Sequence, residues 1–213
     1  MINLRPATSA DLDMLRHWDE QPHVVNAKNM PKIKVDEMML NLRPATSADL
    51  ALLQHWDEQP HVINADPNDD WGWEIELDRT PDWREQLIAE IDGRAIGFIQ
   101  IIDPALEDSH YWGDCEPNLR AIDIWIGEET DLGKGYGTQM MQLALTRCFA
   151  DSAVTAVLID PLASNTRAHR FYERLGFQFV EPRQFGDDDC FVYRLNRADW
   201  HSEIAIDEAK CNS

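Results

Sequence analysis

The sequence predicts a mixed α/β fold, with helices packed on a twisted sheet, and three patterns support this prediction. An apolar run rich in β-branched residues at 119–126 is followed by a glycine-rich loop and by helical periodicity at 135–150. A second apolar run at 155–159 likewise precedes helical periodicity at 165–175. The dipeptide Asp92-Gly93 separates two further apolar runs, as in a β-hairpin. Strands followed by helices, together with a hairpin, give a sheet with parallel and antiparallel neighbours.

The first half of the chain is expected to supply short strands and helices. The helix assigned to 60–64 begins with a proline, which favours the first turn of a helix. Loops are assigned where Trp, Gly and Pro interrupt the periodicity. In chain order, the expected elements are a strand at 41–44, helices at 47–55 and 60–64, a loop with Trp71, Trp73 and Trp83, hairpin strands at 86–91 and 94–103, a loop at 104–117 and a strand at 120–126.

The second half is expected to add two longer helices and three strands. The helix at 165–175 has Ser164 as a favourable N-cap residue and ends at Gly176. Its apolar positions recur at i, i+3, i+4 and i+7, and His169 is predicted to face solvent. Strands at 178–181 and 190–195 complete the sheet.

A near-identical repeat occupies the N-terminal part of the chain. Residues 3–27 recur at 41–65, and only four of the 25 positions differ. Repeat architectures need at least three units, so this pair indicates a duplication, a fused segment or a cloning product. Because the second copy runs directly into the rest of the chain, we assign it to the domain. The expected organisation is a duplicated segment with a linker at 1–38, one catalytic domain at 39–200 and a tail at 201–213.

Composition and charge restrict the function. The formal net charge is −20, which argues against nucleic-acid binding because phosphates require a basic surface. Ten acidic residues lie between Asp66 and Asp92, and such a field attracts polycations. No apolar run approaches the roughly 18–20 residues that cross a bilayer. The four cysteines lack metal-ligand spacing, so we expect no metal and a reducing, cytoplasmic location.

The loop Leu132–Thr138, with sequence LGKGYGT, has the features of a phosphate site. It joins a strand to a helix N-terminus, where free N–H groups and the helix dipole attract anions. Glycines also let a pyrophosphate approach the backbone closely. A Walker A loop is excluded because no Lys-Ser or Lys-Thr pair follows, and a Rossmann fingerprint is excluded because the glycines read G-x-G-x-G. An ordinary Gly-rich turn remains the alternative.

A second motif makes the combination specific. Asn165 to Phe177 reads N-x-x-A-x-x-x-Y-x-x-x-G-F and follows the loop by about 30 residues. The pair resembles the GNAT acyltransferases, which bind acetyl-CoA, although Leu132 replaces the usual Gln or Arg at the start of the first motif. Within that superfamily, the chain is most similar to the aminoglycoside 6'-N-acetyltransferases. The resemblance implies a twisted mixed sheet with a splayed central strand.

The resemblance also implies how the cofactor is held. Backbone amides of Ile124, Trp125 and Ile126 would bind the thioester carbonyl and pantetheine. Basic residues near both motifs would neutralise the phosphates. The remaining residues that the resemblance assigns to acetyl-CoA are Leu132, Gly133, Lys134, Gly135, Tyr136, Gly137, Thr138, Asn165 and Arg170.

Two residues are candidates for acid–base chemistry. Asp123 lies within an apolar strand, where a carboxylate is costly unless it is paired or used, and it resembles the family's strand aspartate that binds substrate or acts as a base. Tyr172 occupies the position of the family's tyrosine, which donates a proton to the CoA sulfur; alternatively, it is a core aromatic residue. The residues predicted to bind the substrate are Trp112, Asp114, Glu116, Asp123 and Asp160, although Asp160 also fits a turn before Pro161.

Three functional hypotheses follow. The first is an aminoglycoside 6'-N-acetyltransferase, which fits an acidic cleft and a polyamine substrate. The second is an N-acyltransferase with another acceptor, such as a lysine, a siderophore or a protein. The third is a GNAT-like module that senses acyl-CoA without catalysis, which the complete glycine loop and Tyr172 disfavour. A monomer or a homodimer is expected, with a domain swap through the duplicated segment as an option.

Overall fold

The computed structural model describes residues 40–68 and 70–200, which form a seven-stranded mixed sheet with helices on both faces. The strands are β1 (Leu40–Pro44), β2 (Arg84–Ile91), β3 (Arg94–Ile102), β4 (Leu119–Ile126), β5 (Ala156–Ile159), β6 (Gln178–Phe185) and β7 (Asp188–Asn196). The helices are α1 (Leu50–Asp57), α2 (Pro60–Ile63), α3 (Trp73–Glu76), α4 (Tyr136–Ala150) and α5 (Thr166–Arg174), and short 3-10 turns lie at Ser47–Asp49, Glu129–Asp131 and Arg197–Asp199.

The strand order β1-β2-β3-β4-β5-β7-β6 confirms the predicted mixed sheet. The first four strands are antiparallel neighbours, and β4 and β5 are parallel because α4 carries the chain back across the sheet. The β2–β3 turn is formed by Asp92 and Gly93, both at positive φ, as a tight hairpin turn requires.

The central strands separate from one another along their length. β4 pairs with β5 only from Leu119 to Ala121, whereas it pairs with β3 as far as Ile126. The edge of β4 that faces β5 is therefore open beyond Ala121, which confirms the expected splay. An open backbone edge within a sheet offers N–H and C=O groups to a ligand.

Side chains on the two faces of the sheet form two layers of core. On one face, Leu87, Ile99 and neighbouring residues pack against Met140 and Met141 of α4. Because side chains alternate along a strand, Ile88 and Phe98 point to the other face. There they pack with the aromatic and apolar residues of α1 and α3, which are Leu53, Trp56, Trp73 and Leu77.

Four local predictions were incomplete or wrong. The strand expected at 178–181 extends to Phe185 through Pro182, which is tolerated because β6 lies at the sheet edge. The tryptophan-rich loop contains the short helix α3. The N-cap of α5 is Asn165, not Ser164, because the Asn165 side chain accepts a hydrogen bond from the Ala168 N–H at 3.1 Å. His169 is buried rather than solvent-facing, because its Nε2 bonds to the Leu162 carbonyl at 2.9 Å and its ring stacks on Phe191.

The second copy of the repeat forms β1, α1 and α2, whereas the first copy at 1–38 and the tail at 201–213 lie outside the described residues. Two ion pairs connect this segment to β2: Arg43 contacts both Asp49, at 2.7 Å, and Glu90, at 2.7 Å. The hydrogen bonds that Arg43 donates to Asp49 hold the pKa of that carboxyl below its usual range. No helix within 40–68 and 70–200 combines the length and hydropathy of a membrane span.

Candidate active site

The glycine loop opens a cleft at the N-terminus of α4. The cleft has a volume of about 680 Å³, within the range of roughly 300–1,000 Å³ that is usual for small-molecule sites. Gly133 and Gly135 adopt φ of +76° and +85°, which only glycine adopts without strain. Gly137, in the first turn of α4, has ordinary space around it, with Phe171 at 3.7 Å from the position of a Cβ. The other predicted cofactor residues that line the cleft are Ile124, Trp125, Ile126, Leu132, Thr138, Asn165 and Arg170.

The charge of this cleft suits a polyphosphate. Arg167, Arg170 and Arg174 of α5 line it, opposite the N-terminus of α4. Lys134 and Tyr136 are not among the lining residues, because Lys134 bonds instead to Asp131 at 2.9 Å and its ammonium lies 6.0 Å from the Tyr136 ring centroid. The residues present fit acetyl-CoA: unobstructed glycines, a helix N-terminus and three guanidinium groups face one cleft.

The open edge of β4 forms the inner end of this cleft. The Gly127 N–H donates to the Ile96 carbonyl on β3, at 2.9 Å, so the Ile126 carbonyl of the same peptide points away from β3. There His61 Nε2 lies 2.8 Å from the Ile126 carbonyl oxygen. Since a carbonyl only accepts, His61 carries its proton on Nε2. Ile124 has the same orientation as Ile126, because alternate residues of a strand face the same edge.

An acidic cleft lies beside the cofactor cleft and has two compartments. We call the smaller one, of about 270 Å³, the inner compartment, and the larger one, of about 750 Å³, the outer compartment. The inner compartment adjoins the open edge of β4, and the outer one extends over the loops that precede β2 and β4. Six residues line both compartments: Asp66, Trp71, Tyr111, Asp123, Asp160 and Asp188.

Asp123, within β4, and Asp160, directly after β5, line the same two acidic compartments. Asp123 accepts a hydrogen bond from the Gln100 amide at 3.0 Å, across the β3–β4 pair. The Tyr111 hydroxyl donates to Asp160 at 2.7 Å. Burial raises the pKa of Asp160 to about 6; the Tyr111 hydrogen bond lowers it and the charge of Asp66 raises it. Two carboxylates in one cleft give it a strong affinity for cations.

Tyr172 lies where the two clefts meet. It lines both the cofactor cleft and the inner compartment, together with Ile124, Trp125, Asn165 and Ala168. Burial, and then the charges of Asp123 and Asp160, raise the pKa of Tyr172 above its usual value. The phenol is therefore protonated at neutral pH, the state in which a tyrosine can donate a proton.

Two of the predicted substrate residues lie elsewhere. Asp114 and Glu116 are exposed and are not among the residues that line either acidic compartment. They precede β4, whereas Asp123 lies within that strand, and Glu116 lies 3.6 Å from Arg194. Trp112 lines the outer compartment but is 96% buried, since it packs edge-on against Phe185 at 5.3 Å.

The structure adds residues that the sequence did not single out. In the sequence, Tyr111 lies in the predicted loop at 104–117 and His61 in the predicted helix at 60–64. Neither residue belongs to a motif that indicates a binding role. Asp57 and Trp71 reach the inner compartment from α1 and from the loop before α3. Among the described residues, no group of three or more His, Cys, Asp or Glu side chains is arranged to hold a metal ion.

Comparison with curated proteins finds an aminoglycoside acetyltransferase and a kanamycin resistance protein among the relatives of this chain. The chain is 35% identical to an aminoglycoside N(6')-acetyltransferase type 1 of Klebsiella pneumoniae over 92 residues. These residues are 43% of this chain and 46% of that protein. It is 38% identical over 74 residues to a kanamycin resistance protein of Rhizobium radiobacter, which covers 34% of this chain and 68% of that protein. The match thus spans about half the length of the Klebsiella relative.

Comparison with solved structures supports the same fold over a larger part of the chain. The crystal structure of aminoglycoside acetyltransferase AAC(6')-Ib in complex with coenzyme A and kanamycin matches with a TM-score of 0.68 and 26% identity, over 76% of this chain and 96% of that one. A family model described as an acetyltransferase (GNAT) domain matches residues 45–185, more than half of the chain. The splayed sheet, the glycine loop and this match show that the chain belongs to the GNAT acetyltransferase family.

Proposed function

We propose that this protein is an acetyl-CoA-dependent N-acetyltransferase that acetylates a primary amine of a polycationic small molecule, the 6'-amine of aminoglycoside antibiotics, by direct transfer. The observation that carries the proposal is the meeting of a basic cofactor cleft and an acidic acceptor cleft at Tyr172. The similarity to aminoglycoside acetyltransferases and to a kanamycin resistance protein supports the choice of acceptor. Such an activity would confer antibiotic resistance from a cytoplasmic location.

Each part of the site has a role in this proposal. Acetyl-CoA supplies the activated acetyl group as a thioester. The glycine loop and Arg167, Arg170 and Arg174 bind its phosphates, and the backbone of Ile124 and Ile126 aligns its extended arm. Asp123 holds the acceptor amine and takes up its proton, and Tyr172 donates a proton to the departing sulfur.

Electrostatics favour a cationic acceptor over an anionic one. Asp66, Asp123, Asp160 and Asp188 face the same space, and the chain carries a formal net charge of −20. An acceptor with several ammonium groups is attracted by this field, whereas the carboxylate of a free amino acid or a siderophore is repelled. The alternative function is an N-acyltransferase that acts on lysine, a siderophore or a protein. The assay described next includes acceptors of this class.

A coupled thiol-release assay tests the proposal. Purified protein is given acetyl-CoA and, separately, kanamycin-type aminoglycosides, spermidine, free lysine and a lysine-containing peptide. We expect the largest kcat/KM for aminoglycosides that carry a 6'-amine, and an analogue with a 6'-hydroxyl should release no thiol. Preferred turnover of lysine or the peptide would instead support the alternative acceptor class.

A further inference from the structure

The inner compartment contains two buried polar atoms whose hydrogen bonds are unmade. Asp57 Oδ1, an acceptor, and Trp125 Nε1, a donor, have no hydrogen-bond partner among the described residues. Both side chains line the inner compartment, next to Tyr172. Leaving a buried donor or acceptor unpaired costs folding free energy, so such atoms indicate a missing partner.

The surrounding residues hold both groups in place. Asp57 ends α1, and its other oxygen, Oδ2, accepts a hydrogen bond from Trp73 Nε1. The ring of Trp71 stacks on Trp73, with centroids 5.0 Å apart, and lies 4.9 Å from the ring of Trp125. The ring of Phe98 packs against that of Trp125, with centroids 4.6 Å apart. The unpaired acceptor and donor are thus fixed by one aromatic cluster rather than carried on mobile loops.

The chemistry of the pair defines a ligand. Asp57 Oδ1 requires an N–H or O–H donor, and Trp125 Nε1–H requires an acceptor. The indole faces of Trp71 and Trp125 add an apolar wall, as in most small-molecule sites. A ring that carries hydroxyl groups and an amine fits the acceptor, the donor and the apolar wall, because a hydroxyl both donates and accepts.

We infer that Asp57 and Trp125 form a subsite for a hydroxylated ring of the acceptor, and that this subsite selects amino sugars over alkyl polyamines. A protonated polyamine has only N–H donors, so it leaves the Trp125 N–H unpaired and gains less from this compartment. This inference rests on the proposed acetyltransferase function. It assigns acceptor specificity to the side chains of Asp57 and Trp125, whereas the proposed proton transfers involve Asp123 and Tyr172.

The test compares two acceptors in each variant. The ratio of kcat/KM for a kanamycin-type amino sugar to kcat/KM for spermidine is measured for the wild type, Asp57→Asn and Trp125→Phe. Asp57→Asn removes the charge but keeps the shape, and Trp125→Phe removes the N–H but keeps an aromatic ring. Glu58→Gln is the matched control, because it removes one charge from the exposed residue next to Asp57.

We expect the ratio to fall about tenfold in Trp125→Phe and to stay unchanged in Glu58→Gln. Asp57→Asn should lower both kcat/KM values, because the amino sugar and the polyamine both donate to Asp57. A general loss of structure would lower both kcat/KM values together and leave the ratio unchanged. An unchanged ratio in Trp125→Phe, or undiminished kcat/KM for both acceptors in Asp57→Asn, with amino-sugar acetylation retained, would overturn the subsite and leave the proposed function standing. A wild-type protein that acetylates no amino sugar would overturn the proposed function, and the subsite with it.

Discussion

At the scale of single residues, the buried carboxyl of Asp160 is expected to change its charge near neutral pH. Burial raises its pKa to about 6, so it takes up a proton within the range in which enzymes are assayed. A neutral Asp160 no longer attracts an ammonium group, although it still lies within hydrogen-bonding distance of Tyr111, at 2.7 Å. The acceptor affinity of this cleft should therefore depend on pH.

We predict that KM for an aminoglycoside rises as the pH falls through about 6, because the cleft loses one negative charge there. Asp160→Asn should have a high KM at every pH and lack this inflection. Steady-state kinetics between pH 5 and pH 8 measure both profiles. The same KM inflection in Asp160→Asn would show that another group is responsible.

Stability gives an independent check with a definite sign. Because the pKa of Asp160 is raised from 3.8 to about 6 in the folded protein, stability falls as the pH rises from 3.8 to about 6 and stays lower above that range. Asp160→Asn should therefore raise Tm at pH 8, where the wild type carries the buried charge. At pH 3.5 the two proteins should melt at similar temperatures, since Asp160 is then largely protonated in both the folded and the unfolded state.

Asp123 carries the second residue-scale prediction. It lines both acidic compartments and is paired across the sheet with Gln100. Asp123→Asn keeps the shape and this contact, but removes the negative charge that holds the amine and accepts its proton. We expect kcat/KM for aminoglycosides to fall by about 100-fold, the usual effect of losing a general base. Wild-type turnover in a folded Asp123→Asn protein would show that the carboxylate is structural.

At the scale of elements, the glycine loop couples backbone conformation to cofactor binding. Gly135 has φ of +85° and lines the cofactor cleft, whereas Gly93, in the β2–β3 turn, has φ of +77° and does not line it. Both glycines have open space where a Cβ would lie. The two positions therefore share a backbone conformation that strains other residues, and only Gly135 lines the cofactor cleft.

This pair provides a controlled prediction. Gly135→Val and Gly93→Val should lower Tm by similar amounts, because valine is strained at positive φ in both turns. Only Gly135→Val should lose affinity for acetyl-CoA, since its side chain enters the space that the pyrophosphate requires. Calorimetric titration measures the affinity. Retained binding in Gly135→Val, or an equal loss in Gly93→Val, would contradict the assigned role of the loop.

The elements that the sequence predicts well are those with local signals. The hairpin at Asp92-Gly93 and helix α4 follow from turn chemistry and periodicity. The burial of His169 in α5 could not be predicted from turn chemistry or periodicity, because it depends on the Leu162 carbonyl and on Phe191 of β7. The same holds for Tyr111 and Asp160, which are 49 positions apart and meet through loop geometry. Local patterns thus locate the cofactor loop, whereas the acceptor cleft depends on tertiary contacts.

At the scale of the whole molecule, charge is distributed according to the two ligands. The formal net charge is −20, yet three arginines of α5 line the cofactor cleft. Acidic residues from α1, from the loop before α3 and from the ends of β5 and β7 face the acceptor cleft. The arginine-lined cleft and the acidic cleft are thus separate regions of opposite charge that meet at Tyr172.

The duplicated N-terminal segment raises a question that concerns the whole chain, namely which copy the domain uses. The second copy supplies β1, α1 and α2, and its Leu53 and Trp56 are fully buried in the core. Leu15 is the equivalent of Leu53 in the first copy, and it lies outside the described residues. The repeat therefore contains its own matched pair of test positions.

We predict that Leu53→Ala destabilises the full-length protein by about 2–5 kcal/mol, the usual cost of deleting a buried leucine side chain, and that Leu15→Ala leaves Tm and turnover unchanged. Deletion of residues 1–38 should likewise leave a folded, active enzyme, because residues 41–65 supply the apolar contacts that the core requires. Thermal melts and the thiol-release assay measure both properties. Equal destabilisation by the two leucine variants, or loss of active protein when residues 1–38 are deleted, would mean that the first copy contributes to the fold. The first copy would then replace the second one, either within the same chain or in a neighbouring molecule. The domain boundary at residue 39 would then be wrong.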